Sequence, residues 1–307
     1  MKLANSPITE HHFNGHHFYL KRDDQLHSQF SGNKARKFMS LLDADLPQVT
    51  NLIGYGSAQA NSLYSMAALA RIRGWQLEFY VDHIPAWLKQ RPIGNYRGAL
   101  ELNAHIIETR PFGLHPREYI EQIRQPDESC LSVPEGGRSK LAEAGVKQLA
   151  SEILEWTRMQ PKQEWRVALP SGTGTTALFL HKALQPHGVQ VITCPCVGGA
   201  EYLTEQFHEL GETSHPEILH LGSKHYFGHI YREDFDIWQQ LNEQTHVEFD
   251  LLYDPLMWRC LMSWLEKEKL THSDMRTVNR PALIYIHQGG LLGNESMLPR
   301  YQRQFDL

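Results

Sequence analysis

A chain of 307 residues with 41% apolar side chains is long enough for one large or two moderate domains, which excludes a disordered protein. Its 30 basic and 35 acidic residues leave a net charge of −5 with no concentrated basic run, so nucleic acid is not an expected partner. The N-terminus lacks an apolar stretch of signal-peptide length, no window approaches a membrane span, and four cysteines make no disulfide framework, so a cytoplasmic protein away from membranes is expected.

Near the start, the pairs His11-His12 and His16-His17 read as solvated surface side chains rather than metal ligands. Ser31-Gly32-Asn33-Lys34 reads as a helix start carrying a lysine amine. Residues 62–73, with Ala67-Ala68-Leu69-Ala70 inside, favour helix, and Gly74 is placed to supply a left-handed cap. Residues 76–81 and 104–108 read as strands. Over 139–156 the residues Val146, Leu149, Ala150 and Ile153 recur at helical spacing. Then comes a strand over 164–169 ending at Pro170, a Gly/Ser/Thr turn, a helix over 177–184 and a strand over 190–193. This is a βαβ pattern, which predicts a parallel sheet. Cys194-Pro195-Cys196 has no second ligand pair and reads as a strand end with buried thiols rather than a zinc site. Met257, Cys260, Leu261, Trp264 and Leu265 mark one helix face, and 282–286 is a β-rich run ending at His287-Gln288-Gly289-Gly290. Strands alternating with helices predict an α/β fold.

Two segments carry the chemistry. A phosphate monoester needs several inward N–H donors and little steric bulk, which Ser171-Gly172-Thr173-Gly174-Thr175-Thr176 offers between a strand and a helix start. An ordinary βα turn has the same composition. The Gly-Lys-Ser/Thr ending of a Walker loop is missing, and Gly54-Tyr55-Gly56 lacks the third glycine of a dinucleotide fingerprint. Lysine captures electrophiles when it is desolvated or sits beside another cation, because its neutral amine is then accessible near neutral pH. Lys34 precedes Arg36 and Lys37 closely, although a lone lysine is ordinarily a solvated surface amine.

The segment Arg22-Asp23-Asp24 followed by Ser31-Gly32-Asn33-Lys34-Ala35-Arg36-Lys37 resembles the lysine segment of the pyridoxal phosphate enzymes in the 1-aminocyclopropane-1-carboxylate deaminase and D-cysteine desulfhydrase family, of fold type II. Gln59-Ala60-Asn61, Pro134-Glu135-Gly136-Gly137, the Ser171 to Thr176 loop and His287-Gln288-Gly289-Gly290 match further motifs of that family in its order. The resemblance implies a tryptophan synthase β-like fold of two α/β domains with the cofactor between them. Residues 1–49 and 159–307 would form a large pyridoxal phosphate-binding domain and residues 50–158 a smaller inserted one, in a homodimer. It also implies that Lys34 forms the Schiff base and moves protons at the α carbon of a small amino-acid substrate. Asn61 would bond the cofactor's phenolic oxygen, or else merely cap a helix. The residues Ser171, Gly172, Thr173, Gly174, Thr175 and Thr176 would hold the phosphate, and Gln288 would face the pyridine nitrogen.

Several positions depart from the family pattern. Ala60 stands where the family has a serine that touches the substrate carboxylate, and Met257 where it has a tyrosine, unless Tyr253 or Tyr301 substitutes. Met257 also fits plain core packing. Gln288 replaces a threonine, and an uncharged partner there leaves the ring nitrogen less protonated, which suits elimination. Ser57 is a candidate for the missing hydroxyl, or a loop serine bonding local backbone. Ser57, Gln59, Ala60 and Met257 are thus the candidate substrate positions. The resemblance therefore predicts a pyridoxal phosphate-dependent deaminase or β-eliminating lyase. The alternatives are a pyridoxal phosphate-binding carrier or regulatory protein with little catalysis, and a binder of some other phosphorylated ligand.

Overall fold

The computed structural model describes residues 3–271 and 281–306. The chain opens on a hairpin, β1 (Ile8–Phe13) and β2 (His16–Lys21), turned by Asn14-Gly15 with φ values of 48° and 74°. Asparagine followed by glycine tolerates this left-handed pair, so the tight turn forms locally. The histidine pairs therefore lie on strands, with His12 opposite His17. Helix α1 (Gly32–Leu42) follows and leads into β3 (Asn51–Tyr55), α2 (Asn61–Arg73), β4 (Gln76–Val81), α3 (Ala86–Gln90), α4 (Gly94–Glu101), β5 (His105–Glu108), α5 (Pro116–Tyr119) and β6 (Cys130–Ser132). These four strands form a parallel sheet in the order β5-β4-β3-β6. Gly74 ends α2 in the left-handed region at φ 71°, returning its N–H to the carbonyls of Ala70 and Arg71.

The rest of the chain runs through α6 (Ala142–Arg158), β7 (Trp165–Ser171), α7 (Thr175–Leu184), β8 (Gln190–Pro195), α8 (Gly199–Glu209), β9 (Glu217–Ile218), α9 (Arg232–Thr245), α10 (Asp254–Thr271), β10 (Ala282–Ile286) and α11 (Asn294–Phe305). Its strands join the hairpin in a six-stranded sheet, β1-β2-β10-β7-β8-β9, parallel everywhere except between β1 and β2. Val167, Ala168 and Leu169 in β7 are fully buried, the continuous apolar run of a strand covered on both faces. Pro170 extends β7 beyond the expected stop. It lies opposite Cys194 at the strand's carboxyl end, where the ladder gives way to a loop and a missing N–H costs little.

Helix α6 packs on the six-stranded sheet. Its apolar face, Ala142, Val146, Leu149, Ala150 and Ile153, shares one core with β7, α7 and β10 of the six-stranded sheet. The reason is the width of its apolar stripe, which α7 and the sheet cover together. The four-stranded sheet has its own core around α2, built on Leu63, Met66, Leu69, Leu77 and Phe79, to which Phe38 and Leu41 of α1 also contribute.

Candidate active site

In open parallel sheets, ligands settle where strand carboxyl ends turn into loops. Here the segments after β3, β6, β7, β8 and β10 converge with α1 and α11 on one cavity of ≈ 460 Å³. Lys34, Ser57, Gln59, Ala60, Asn61, the run from Ser171 to Thr176, and Gln288 all line it, although they come from segments far apart in the chain.

Lys34 sits in the first turn of α1. At Gly32 the backbone has φ 64°, and a Cβ there would fall 1.8 Å from the carbonyl oxygen of Gln288. Only glycine permits that approach, and it lets Asn33 N–H donate to the same carbonyl at 3.2 Å. Lys34 Nζ donates to the Gly136 carbonyl at 3.2 Å, and Lys37 Nζ donates to that same oxygen at 3.0 Å and to Thr173 Oγ1 at 3.2 Å. Burial pulls the Lys34 amine down to about 8, with Glu135 pulling the other way. Burial also drives Lys37 well below the usual lysine range, helped by the charge of Lys34. Two crowded amines with one carbonyl between them form a site short of negative charge.

The loop after β7 supplies the complementary donors. Gly174 occupies the N-cap position of α7 at φ 70°, and no side chain caps the helix. The first-turn N–H groups are therefore free for a ligand, where the helix dipole favours an anion. A Cβ on Gly174 would lie 2.4 Å from Phe207, so the turn needs glycine sterically as well. Thr176 Oγ1 is buried with no partner, an expensive state for a hydroxyl unless a ligand bonds it. Thr173 and Thr175 share a hydrogen bond at 3.1 Å. Ser171 behaves otherwise, because its hydroxyl bonds Thr193 Oγ1 at 2.6 Å and is spent on the sheet.

The remaining expected positions divide. The N-cap of α2 is Ala60, so Asn61 is the first helical residue and not a capping side chain; its Oδ1 accepts from Asn95 Nδ2 at 2.7 Å. Ser57 Oγ accepts the N–H of Gln59 at 3.2 Å, the local loop bond. Gln288 Nε2 donates to the Pro170 carbonyl at 2.7 Å, while its buried Oε1 has no partner. Met257 is the exception. It is fully buried in the core with Trp258 and Phe249 and does not line the cavity, because the α10 face that carries it turns toward the sheet. Tyr301 is likewise packed away on Phe235, at 5.5 Å between ring centres.

Lys37 and Glu135 line the cavity from motifs in which no role was assigned to them, and Asp250, Phe227 and Arg300 line it from outside the motifs. Lys37 had a signal in its position three residues after Lys34, one helical turn onward. The others lie on loops or on a helix with no distinctive spacing. Tyr253 and Tyr202 bring phenols to the cavity, the Tyr253 ring 5.2 Å from that of Phe227. Burial and the nearby Asp250 raise Tyr253 above the usual tyrosine range.

No protein-family model matches this chain, and no curated protein matches it. Solved structures do match. The chain is similar to an ACC deaminase homologue over 98% of its length and 95% of that chain, with a TM-score of 0.77 and 18% identity. A hydrogen sulfide-producing enzyme from Fusobacterium nucleatum matches over 94% and 97% of the two chains, with a TM-score of 0.63 and 10% identity. A fungal L-serine ammonia-lyase from Rhizomucor miehei matches over 99% of each, with a TM-score of 0.63 and 12% identity. Likeness at such identities speaks for fold. With its two parallel-type sheets and the cavity at their strand ends, the chain has the tryptophan synthase β-like architecture of fold type II pyridoxal phosphate enzymes.

Proposed function

We propose that this protein is a pyridoxal phosphate-dependent deaminase or β-eliminating lyase acting on a small amino acid. The observation that carries the reading is the meeting, in one cavity, of a lysine amine held near 8 with an uncapped, glycine-turned helix start. The residues fit the cofactor. The free N–H groups of α7, the partnerless Thr176 hydroxyl and the Lys37 amine match a phosphate, and Lys34 matches its aldehyde. Bound pyridoxal phosphate supplies the electron sink that loosens bonds at a substrate's α carbon.

The chain's own residues do the rest. Lys34, with an appreciable neutral fraction near pH 8, takes the proton from the α carbon and can return it. The segment 57–61 offers backbone and side-chain polar groups for the substrate carboxylate, although Ser57 Oγ is engaged locally. Tyr253 offers a phenolic proton to a leaving group. Elimination needs only these parts, whereas Met257, buried in the core, cannot act on a substrate. Among the described residues no helix is long and apolar enough to cross a membrane.

The test is the visible absorption band of purified protein after incubation with pyridoxal phosphate, in wild type and Lys34→Ala. Small D- and L-amino acids are then screened for band changes and for release of ammonia, sulfide and keto acid. A Lys34-dependent band with turnover of at least one amino acid is expected. A wild type that develops no such band overturns the reading.

A further inference from the structure

Asp250 has no part in the chemistry above, yet its carboxyl is buried in the wall of the same cavity. Its Oδ1 accepts the N–H groups of Leu252 at 2.8 Å and Tyr253 at 2.6 Å. The Asn61 side chain stands beside this carboxylate and opposes the rise that burial imposes on it. Gly290 allows the approach, since a Cβ there would fall 2.5 Å from Asn61 Nδ2 and 2.8 Å from Asp250 Oδ2. On the other side, Asn95 Nδ2 donates to Asn61 Oδ1 at 2.7 Å and to the Gln59 carbonyl at 3.0 Å.

An amide whose oxygen is claimed by a donor and whose nitrogen is claimed by a carboxylate has one orientation. Turning it over would set amide N–H groups of Asn61 and Asn95 against each other, and the Asn61 oxygen against the carboxylate. Asn61 Nδ2 carries two hydrogens, one of which can be given to Asp250 Oδ2 beside it. Asn61 and Asn95 stand on α2 and α4 beside the four-stranded sheet, whereas Asp250 lies between α9 and α10 and Gly290 follows β10 of the six-stranded one. The clamp therefore spans the two halves of the cavity.

We propose that Asp250 is the positioning residue of Asn61: with Asn95 it locks the amide so that the second N–H remains a donor for an oxygen of the cofactor bound in the cavity. The proposal rests on the pyridoxal phosphate reading. The ionisable groups facing Asp250 are Asp254, whose Oδ2 accepts the Asp250 N–H at 3.0 Å and whose Oδ1 accepts the Tyr285 hydroxyl at 2.6 Å, and Tyr253. Burial raises Asp250 to about 6, against the opposing pull of the Tyr253 and Leu252 N–H groups and Asn61. Protonating it on the side facing Asn61 withdraws the acceptor that holds the amide nitrogen.

The experiment uses full-length protein loaded with pyridoxal phosphate and reads the cofactor dissociation constant and the pH midpoint of its visible band. Asp250→Asn sets an amide N–H2 either toward Asn61 Nδ2 or toward two backbone N–H groups, so it breaks the clamp with little change of shape. Asn95→Ala removes the opposite jaw from a residue that does not line the cavity. Each variant is expected to keep its melting temperature within a few degrees, to bind cofactor about tenfold more weakly and to shift the band midpoint. Asn61→Asp combined with Asp250→Asn restores the bonds of the clamp but leaves no donor at position 61, so its stability should recover and its band should not. Unchanged affinity and midpoint in both single variants, or full recovery of the band in the exchange variant, overturns the proposal while a Lys34-dependent band keeps the cofactor reading. Absence of that band from the wild type overturns both.

Discussion

Thr176 separates the needs of the empty fold from those of the loaded site. Its buried Oγ1 has no partner, so Thr176→Val removes an unsatisfied group without changing shape. The melting temperature of cofactor-free protein should hold or rise slightly, while pyridoxal phosphate affinity falls about tenfold, as expected for one hydrogen bond to a charged group. Equal affinity in the two proteins would remove Thr176 from the site. Lys34 yields a pH prediction of definite sign. Its folded value lies near 8, so the fraction of neutral amine grows as pH rises. The rate of cofactor uptake should climb between about pH 7 and 9 and level off above, measured by stopped-flow absorbance. At this scale the sequence was informative wherever a role depends on residue type and local spacing, as for Lys34 or Gly174. Met257, a substrate candidate by motif position, turned out to be core, because the turn of α10 that carries it faces the sheet and motif alignment does not record which way a helix is rotated.

Among elements, α1 and α7 are set by glycines at their starts. Gly32→Ala places a methyl group 1.8 Å from a backbone oxygen that cannot move independently of β10, at a φ of 64° that already costs roughly 1–2 kcal/mol for an L-residue. Denaturant melts should show a loss of at least about 2 kcal/mol, together with poorer cofactor loading, because the same turn carries Lys34. Helix α2, β4, β7, α7, β8 and β10 were legible because each combines a period with a stop signal, such as Gly74 after α2. The hairpin β1–β2 was not. Its strands are rich in histidine and other polar side chains, half exposed, and their buried face, Phe13, Phe18 and Leu20, is covered only by distant residues such as Trp258. Pro170 reads as a strand stop, yet β7 continues through it to Ser171 and α7 starts at Thr175, so the turn between them is only Gly172, Thr173 and Gly174.

For the whole molecule, the buried cluster behind α1 matters most. Arg36 is completely buried and bonds Asp23 through Nε and Nη2, at 2.9 and 2.8 Å, and Glu152 through Nη1 and Nη2, at 2.8 and 2.7 Å. Lys21 adds a bond of 2.6 Å to Glu152, so β2, α1 and α6 meet in one charge network. Arg36→Met would leave buried Asp23 without a charged partner and Glu152 with Lys21 alone, and a loss of about 3–5 kcal/mol is expected by denaturant unfolding. Burial alone would raise Glu152, but Arg36 and Lys21 outweigh it and hold the carboxyl at about 2. With the folded value below the unfolded one near 4.5, this stabilisation is present above pH 4.5 and lost as pH falls through 2. Melting temperatures between pH 5 and 2 should therefore fall less steeply in Glu152→Gln than in wild type, from a lower start. The sequence by itself determined the α/β class and the Gly/Ser/Thr turn at Ser171–Thr176, and its ordered motifs carry the family resemblance from which the cofactor is proposed. Those signals are local, resting on residue type and spacing along a few turns of chain. Only the tertiary structure showed that α6 shares a core with β7, α7 and β10, that Asn95 bonds Asn61, and that Arg36, Asp23, Glu152 and Lys21 share one network. Each of these joins residues far apart in the chain, and what brings them together is the packing of apolar faces, which sequence spacing does not encode.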